Sequence, residues 1–321
     1  MRLRIVPETT NFDFFRWAPL TFGVSLVAML LSLVAWGVFG LNFGIDFQGG
    51  TTIRSESVQP VDVGAYRAAM DPLQLGDVSI SEVFDPTFGP DQNVAMIRIQ
   101  SQEGQEAVEG ATIERVEAAL LAVDPSITFP SVESIGPKVS GELVTTAFLA
   151  VGASLAAILF YIWLRFEWQF AVGAVASLVH DVILTIGIFA LFQIQFELTT
   201  VAAILTIIGY SINDTVVIFD RLRENLIKYK KLALRDVMNV SVNETLSRTI
   251  MTSGTTLVAL IALLVLGGDV IRSFVFAITW GIVVGTYSSV YVAKNIVLWL
   301  GVNRDKEKPS AAGTKFGDVD A

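Results

Sequence analysis

The sequence predicts a polytopic α-helical membrane protein of six transmembrane helices, with a small α+β exported domain between helices 1 and 2. Three observations carry this expectation. Hydrophobic residues make up 53% of the 321 positions, and the mean hydropathy is +0.60, too apolar for an ordinary soluble protein. Only 17% of residues are charged. The acidity behind the net charge of −9 is local: residues 41–140 hold fifteen Asp/Glu against five Lys/Arg, and the rest of the chain is close to neutral.

Six apolar windows are long enough to cross a hydrocarbon core, which takes about 20 helical residues. They are Pro19–Gly40, Leu143–Leu164, Phe170–Phe192, Leu198–Phe219, Thr249–Leu266 and Ser273–Ala293. In lipid the backbone must satisfy its own hydrogen bonds, so these windows read as helices. The first is too long for a signal peptide, and no small-x-small cleavage site follows it, so it reads as an uncleaved anchor.

Basic residues set the expected orientation. With residues 1–18 in the cytoplasm, sixteen of the 22 Lys/Arg fall on the cytoplasmic side. Most of the other six lie in the long exported segment, which the positive-inside rule discounts. Both termini are then cytoplasmic in a multi-pass inner-membrane protein, and residues 41–140 are exported.

Within that exported segment, strand patterns over Thr51–Ser57, Val78–Phe84, Asn93–Gln100 and Ile127–Ser134 alternate with helical patterns over Val61–Met70 and Gly104–Val123. The order β-α-β-β-α-β is that of a ferredoxin-like split βαβ unit. Its acidic surface reads as a solvated face. Residues 141–300 hold the five remaining spans. The loop 220–248 mixes charge with apolar residues at helical spacing and predicts an interfacial helix, with Lys228, Lys230 and Lys231 near anionic headgroups. Residues 301–321 are polar, contain Pro309 and Gly313, and predict a disordered cytoplasmic tail.

Composition closes several function classes. There is no basic stripe for nucleic acid, and no G-x-x-x-x-G-K-[ST] loop to bind ATP. Zero cysteines exclude disulfides and cysteine-based metal sites. His180 is the only histidine, so a multi-histidine metal site is excluded too.

Ionisable groups inside the spans are the informative residues. An Asp at a helix centre costs roughly 2.5–3.5 kcal/mol on insertion scales, so it normally faces protein or water. Asp214 lies in the fourth span, with Tyr210 and Ser211 four and three residues before it on the same helix face. Such a residue either carries protons or glues helices together. Because intramembrane carboxylates commonly line proton paths, the functional reading comes first. Arg248 stands at the cytoplasmic mouth of the fifth span, where the residues alone favour a snorkelling arginine that fixes the helix end. His180 and Asp181 lie mid-span in the third helix, about 100° apart, and cannot face one partner along the same line. They read equally as a proton relay or as a packing contact. Gly281 and Gly285 make a G-x-x-x-G face for close helix packing.

Three stretches resemble the SecD/SecF family of protein-export membrane proteins. They are Gly44-Ile45-Asp46-Phe47-Gln48-Gly49-Gly50-Thr51 after the first span, Ser134-Ile135-Gly136-Pro137-Lys138-Val139-Ser140 before the second, and Tyr210–Asn225, which ends on Asp220, Arg221 and the residues up to Asn225. The resemblance covers nearly the whole chain except the tail. It implies a subunit of the Sec export machinery rather than an enzyme, with the RND-like membrane arrangement. The SecD half would be a separate chain, and the partners would be the SecYEG translocon, YajC and the translocating unfolded polypeptide. The energy source would be the proton motive force, acting on late, ATP-independent steps, with no cofactor. Asp214 and Arg248 match the family's proton-conduction residues, which raises Arg248 above its rank from the residues alone. Gly49 and Gly50 read equally as a hinge or as a simple turn.

Other classes compete. An RND-type exporter of lipids or small molecules usually has two repeats with larger exported loops. An intramembrane aspartyl protease would use Asp181 and Asp214, but the G-x-G-D context is missing before Asp214. A pure scaffold would leave Asp214 without a role.

Overall fold

The computed structural model of the chain describes residues 10–76, 78–100 and 110–302. Six helical segments among them are long and apolar enough to cross a membrane. The first, α1 (Ala18–Phe39), opens with Pro19 in its first turn, where a missing N–H costs nothing. A two-residue strand β1 (Asn42–Phe43) and one helical turn α2 (Ile45–Gln48) follow.

The small domain then runs β2 (Gly50–Ser57), α3 (Val63–Met70), β3 (Val78–Val83), β4 (Asn93–Gln100), α4 (Gly110–Val123) and β5 (Thr128–Ile135). Its sheet order is β3-β4-β2-β5 with every neighbouring pair antiparallel, the ferredoxin-like arrangement. Along β2, Thr51, Ile53, Ser55 and Ser57 are buried while Thr52, Arg54 and Glu56 are not, as a period of two requires. Ile53, Ile97 and Ile99 pack with Tyr66, Met70, Val116 and Leu120 to form the core. The Asp62 carboxylate accepts from the Ala65 N–H at 2.9 Å and caps α3. Strand edges agree with the sequence expectation to within one residue. The first residues of the expected second helix, before Gly110, lie outside the described residues, as does the tail from residue 303.

The other sheet face carries Thr52, Arg54, Met96, Arg98, Ser131 and Glu133. It borders a polar cavity of about 540 Å³, whose opposite wall includes Glu197, Thr199, Asp269 and Ser273.

Beyond the domain come α5 (Pro137–Arg165), α6 (Trp168–Phe192), a short strand β6 (Gln195–Phe196), α7 (Leu198–Lys228), α8 (Leu234–Leu266), α9 (Asp269–Ser288), a π-helical turn over Ser289–Ala293, and α10 (Lys294–Leu300). β6 pairs in parallel with β1. Neither this ribbon nor α2 was visible as a sequence pattern, because two to four residues are too short to show a period.

The spans are longer than expected. α7 has 31 residues and is about 46 Å long at 1.5 Å per residue, more than the roughly 30 Å of hydrocarbon. The expected separate interfacial helix is corrected: Lys228 ends α7, Lys230 and Lys231 lie in the short turn that follows, and the remaining charged residues of the loop belong to extensions of α7 and α8. The extensions hold each other through polar pairs. Arg221 Nε meets Glu244 Oε2 at 2.7 Å, and Asn225 Nδ2 donates to Glu244 at 2.6 Å and to Ser241 Oγ at 3.1 Å. With side chains to satisfy each other, helical pairing continues past the apolar window.

α6, α7 and α9 are the inner helices, and the apolar windows of α5, α8 and α1 are mostly exposed on the outside of the bundle. Such faces suit lipid contact.

Candidate functional site

The site begins with two glycines. A Cβ at Gly281 would run into the Ile207 side chain, and one at Gly285 would lie 3.0 Å from Ser211 Oγ and 3.5 Å from Asp181 Oδ2. The missing side chains let α9 approach α7 closely enough for both to present hydroxyls to α6.

Asp181, 1% exposed on α6, occupies the resulting junction. Its Oδ2 accepts from Ser211 Oγ on α7 at 2.7 Å and from Ser288 Oγ on α9 at 2.9 Å. His180 Nδ1 lies 3.0 Å from Asp181 Oδ1. The two adjacent side chains meet each other, while Asp181 takes its hydroxyl partners from α7 and α9. His180 Nε2 is buried with no hydrogen-bond partner among the described residues. The ring stacks on Tyr287 with centroids 6.2 Å apart, and Tyr287 donates to the Thr21 carbonyl of α1 at 2.7 Å. Just beyond, Thr215 Oγ1 is 2.9 Å from Ser289 Oγ, at the start of the π turn. π-helical turns are frequent at functional sites.

Asp214 is 4% exposed, one turn along α7 from Ser211. Its hydrogen bond comes from Ser253 Oγ on α8 at 3.5 Å, and Ser253 Oγ lies 2.8 Å from Thr286 Oγ1 on α9. Tyr210 OH lies 3.3 Å from Thr256 Oγ1. The polar stripe expected on α7 thus divides. Ser211 turns toward α6 and α9, whereas Tyr210 and Asp214 turn toward α8. Arg248 makes no direct ion pair with Asp214, but its charge acts on the carboxylate through space.

The glycine-rich stretch after α1 is built into the head of α7. Asp46 Oδ2 accepts from the Leu198 N–H at 2.8 Å, filling one of the orphan donors at a helix start. Gly44 N–H donates to the Phe196 carbonyl at 2.9 Å, and a Cβ on Gly44 would sit 2.9 Å from Glu197 Cγ. Phe47 packs against Phe43 and Phe196, with ring centroids 5.6 and 5.7 Å away. Gly49 and Gly50 have φ of +74° and +137°, values that only glycine adopts at little cost. Gly50 pairs with Gln100 on one side and Ile135 on the other. Gly50 thus opens the strand, and Gly49 is the turn residue before it.

At the opposite end of α7, Asp220 pairs with Arg165 of α5 at 3.2 Å, and Arg221 pairs with Glu224 at 2.6 Å and Glu244 at 2.7 Å.

Sequence reasoning missed the hydroxyl partners Ser253, Thr286, Ser288, Ser289 and Thr215, since single Ser and Thr residues are common in apolar helices. It also missed Lys294, counted only as a basic residue of the cytoplasmic side. Lys294 is 1% exposed, and its Nζ lies 4.1 Å from the Phe15 ring centroid, 5.0 Å from Phe14 and 5.3 Å from Tyr291.

Apolar helices around buried carboxylates and hydroxyls, with an α+β domain seated on the N-terminal ends of α7 and α9, define a multi-pass membrane protein of the transport type. The chain matches the family described as protein export membrane protein SecD/SecF, C-terminal, over residues 115–303, and the SecD/SecF GG motif over residues 34–61. It is 68% identical over 321 residues to protein translocase subunit SecF of Cereibacter sphaeroides, covering 100% of this chain and 99% of that one. Identity to the protein of the same name from Rickettsia felis is 40%, covering 92% and 94% of the two chains. Among solved structures, SecDF of Thermus thermophilus, a translocon-associated membrane protein, aligns with a TM-score of 0.81 at 33% identity. That alignment covers 94% of this chain but 40% of the SecDF chain. A super-membrane-facing form of SecDF aligns over the same shares with a TM-score of 0.68 at 34% identity. The chain belongs to the SecD/SecF family, among the SecF subunits of the protein-export machinery, and is a multi-pass inner-membrane protein.

Proposed function

We propose that this SecF subunit works with SecD, as a separate chain beside the SecYEG channel and YajC, to drive late, ATP-independent steps of polypeptide translocation with the proton motive force. Both termini face the cytoplasm in this reading, and the domain of residues 41–140 faces the outer side. Asp214 is the proton carrier, Arg248 the cation that senses its charge, and Ser211 and Tyr210 the polar neighbours along α7. His180 and Asp181 form a second polar centre that relays protons or holds α6, α7 and α9 in register.

One observation carries the reading: among the described residues, buried Asp214 has a single long hydrogen bond, whereas Asp181 has three close partners. An ionised carboxylate has about four lone-pair sites to satisfy, so the ionised form of Asp214 leans on Arg248 and on rearrangement of its neighbours. Gain of a proton removes that demand. Each protonation state then favours a different packing of α7, α8 and α9, which a pumping cycle needs.

The test is ATP-independent export in vesicles containing the partner subunits, wild type against Asp214→Asn, which keeps size and polarity but has no titratable proton. Loss of gradient-dependent export with the complex still assembled supports the reading. Unchanged gradient-driven export reduces Asp214 to a packing residue.

A further inference from the structure

The small domain touches the bundle through paired polar contacts at the heads of two particular helices. At α7, the Asp46 carboxylate caps Leu198, β1 pairs with β6, and Arg98 of β4 lies 3.6 Å from Glu197. At α9, the backbone N–H of Asp269 donates to the Phe84 carbonyl at 2.9 Å, and the Phe84 N–H donates to Asp269 Oδ2 at 2.7 Å. Phe84 directly follows β3, an edge strand of the sheet, whereas Arg98 belongs to an inner strand. The two contacts therefore hold different parts of one rigid sheet on the two helices that flank the buried carboxylates. The polar cavity lies between them, with Asp46 and Asp269 both on its wall.

We infer that Asp46 and Asp269 are coupling latches: they make the domain a rigid extension of α7 and α9, so that a shift between these helices is delivered directly to the sheet. The inference rests on the proton-driven reading above and assigns these two carboxylates a positioning role within it. Three features point the same way. Each carboxylate accepts a backbone N–H across the domain–bundle boundary, which fixes direction as well as distance. Gly50, half of the obvious swivel, is held in the sheet ladder on both sides, and the Gly49 N–H donates to the Ile45 carbonyl at 2.9 Å. A third tie, Ser140 Oγ of α5 to the Phe47 carbonyl at 3.3 Å, closes the remaining side. Asp214 lies 16 residues along α7 from the latched Leu198, about 24 Å of continuous helix, so a rigid connection spans the distance without an intermediate joint.

The test uses the full chain co-assembled with its partner subunits in vesicles, with proton flux and gradient-driven export measured on the same preparation. Asp46→Ala and Asp269→Ala are expected to keep wild-type proton flux while export falls about fivefold or more, the lower end of typical coupling free energies. Asp46→Asn, which still accepts from the Leu198 N–H, is expected to restore export. A Phe84→Cys/Asp269→Cys double variant is expected to be uncoupled until a short thiol cross-linker bridges it, and then to export again. Export unchanged in the alanine variants, export and flux falling together, asparagine no better than alanine, or an inactive cross-linked form would each overturn the inference. Failure of the proton-driven reading shows separately, as flux that is indifferent to Asp214→Asn.

Discussion

The Asp181 carboxylate accepts the Ser211 hydroxyl at 2.7 Å across the contact between α6 and α7. This bond, with its Ser288 counterpart from α9, pins three helices at one point deep in the bundle. Ser211→Ala leaves a buried acceptor one donor short and is expected to cost about 1–3 kcal/mol. Thermal unfolding in detergent reads this directly, and an unchanged midpoint would mean that the bond carries no net stability.

Close approach of α7 and α9 depends on Gly281. Valine there collides with Ile207, and overpacking of a filled contact typically costs about 1–3 kcal/mol. Gly281→Val should therefore lower the unfolding midpoint. Gly23→Val, at a position with open space around it, is the control that should not.

Glu197 gives the domain–bundle contact a pH dependence. Burial pushes its carboxyl above the usual range, the Arg98 guanidinium pulls it down, and Asp46 and Glu133 add a smaller upward push. A carboxyl raised on folding contributes stability that is complete below its unfolded value and is lost as pH rises through the folded one. Hydrogen exchange at the Leu198 amide should accordingly quicken as pH rises through that window, beyond the intrinsic rate change, and Glu197→Gln should flatten the excess. The same slope in the variant would rule Glu197 out as its source.

Lys294 sits with its Nζ among the Phe14, Phe15 and Tyr291 rings and has no hydrogen-bond partner among the described residues. Ring faces are electronegative and attract a cation, but a buried charge also costs desolvation, and an apolar residue of similar volume often replaces it without loss. Lys294→Met is expected to leave thermal stability unchanged or slightly raised. Lys294→Glu, an anion against ring faces, is expected to lower it clearly. Strong destabilisation by methionine would show that the cation–ring contact outweighs desolvation.

The spans, the βαββαβ order and Asp214 were legible in sequence because each rests on a strong local signal: apolar length, period-two alternation, a charge in the wrong solvent. What stayed hidden was relational. Tyr210, Ser211 and Asp214 share one helix face, yet their partners come from α8 on one side and from α6 and α9 on the other. Helix spacing cannot assign neighbours. Asp46 was readable as part of a signature, but its task as a cap on Leu198, 152 positions away, depends on β1 meeting β6. Arg248 illustrates the limit from the other side. Its place at a helix end suggested anchoring, its family resemblance ranked it with Asp214 in proton conduction, and the structure shows no direct ion pair between the two.

Proton flux tests most directly whether Asp214 carries protons. The chain is reconstituted with its SecD partner in vesicles holding a pH-sensitive dye, and a gradient is imposed across wild type and Asp214→Asn at equal incorporation. Flux is expected in the wild type, and none above empty vesicles in the variant. Equal flux in both would contradict a proton-carrying role for Asp214.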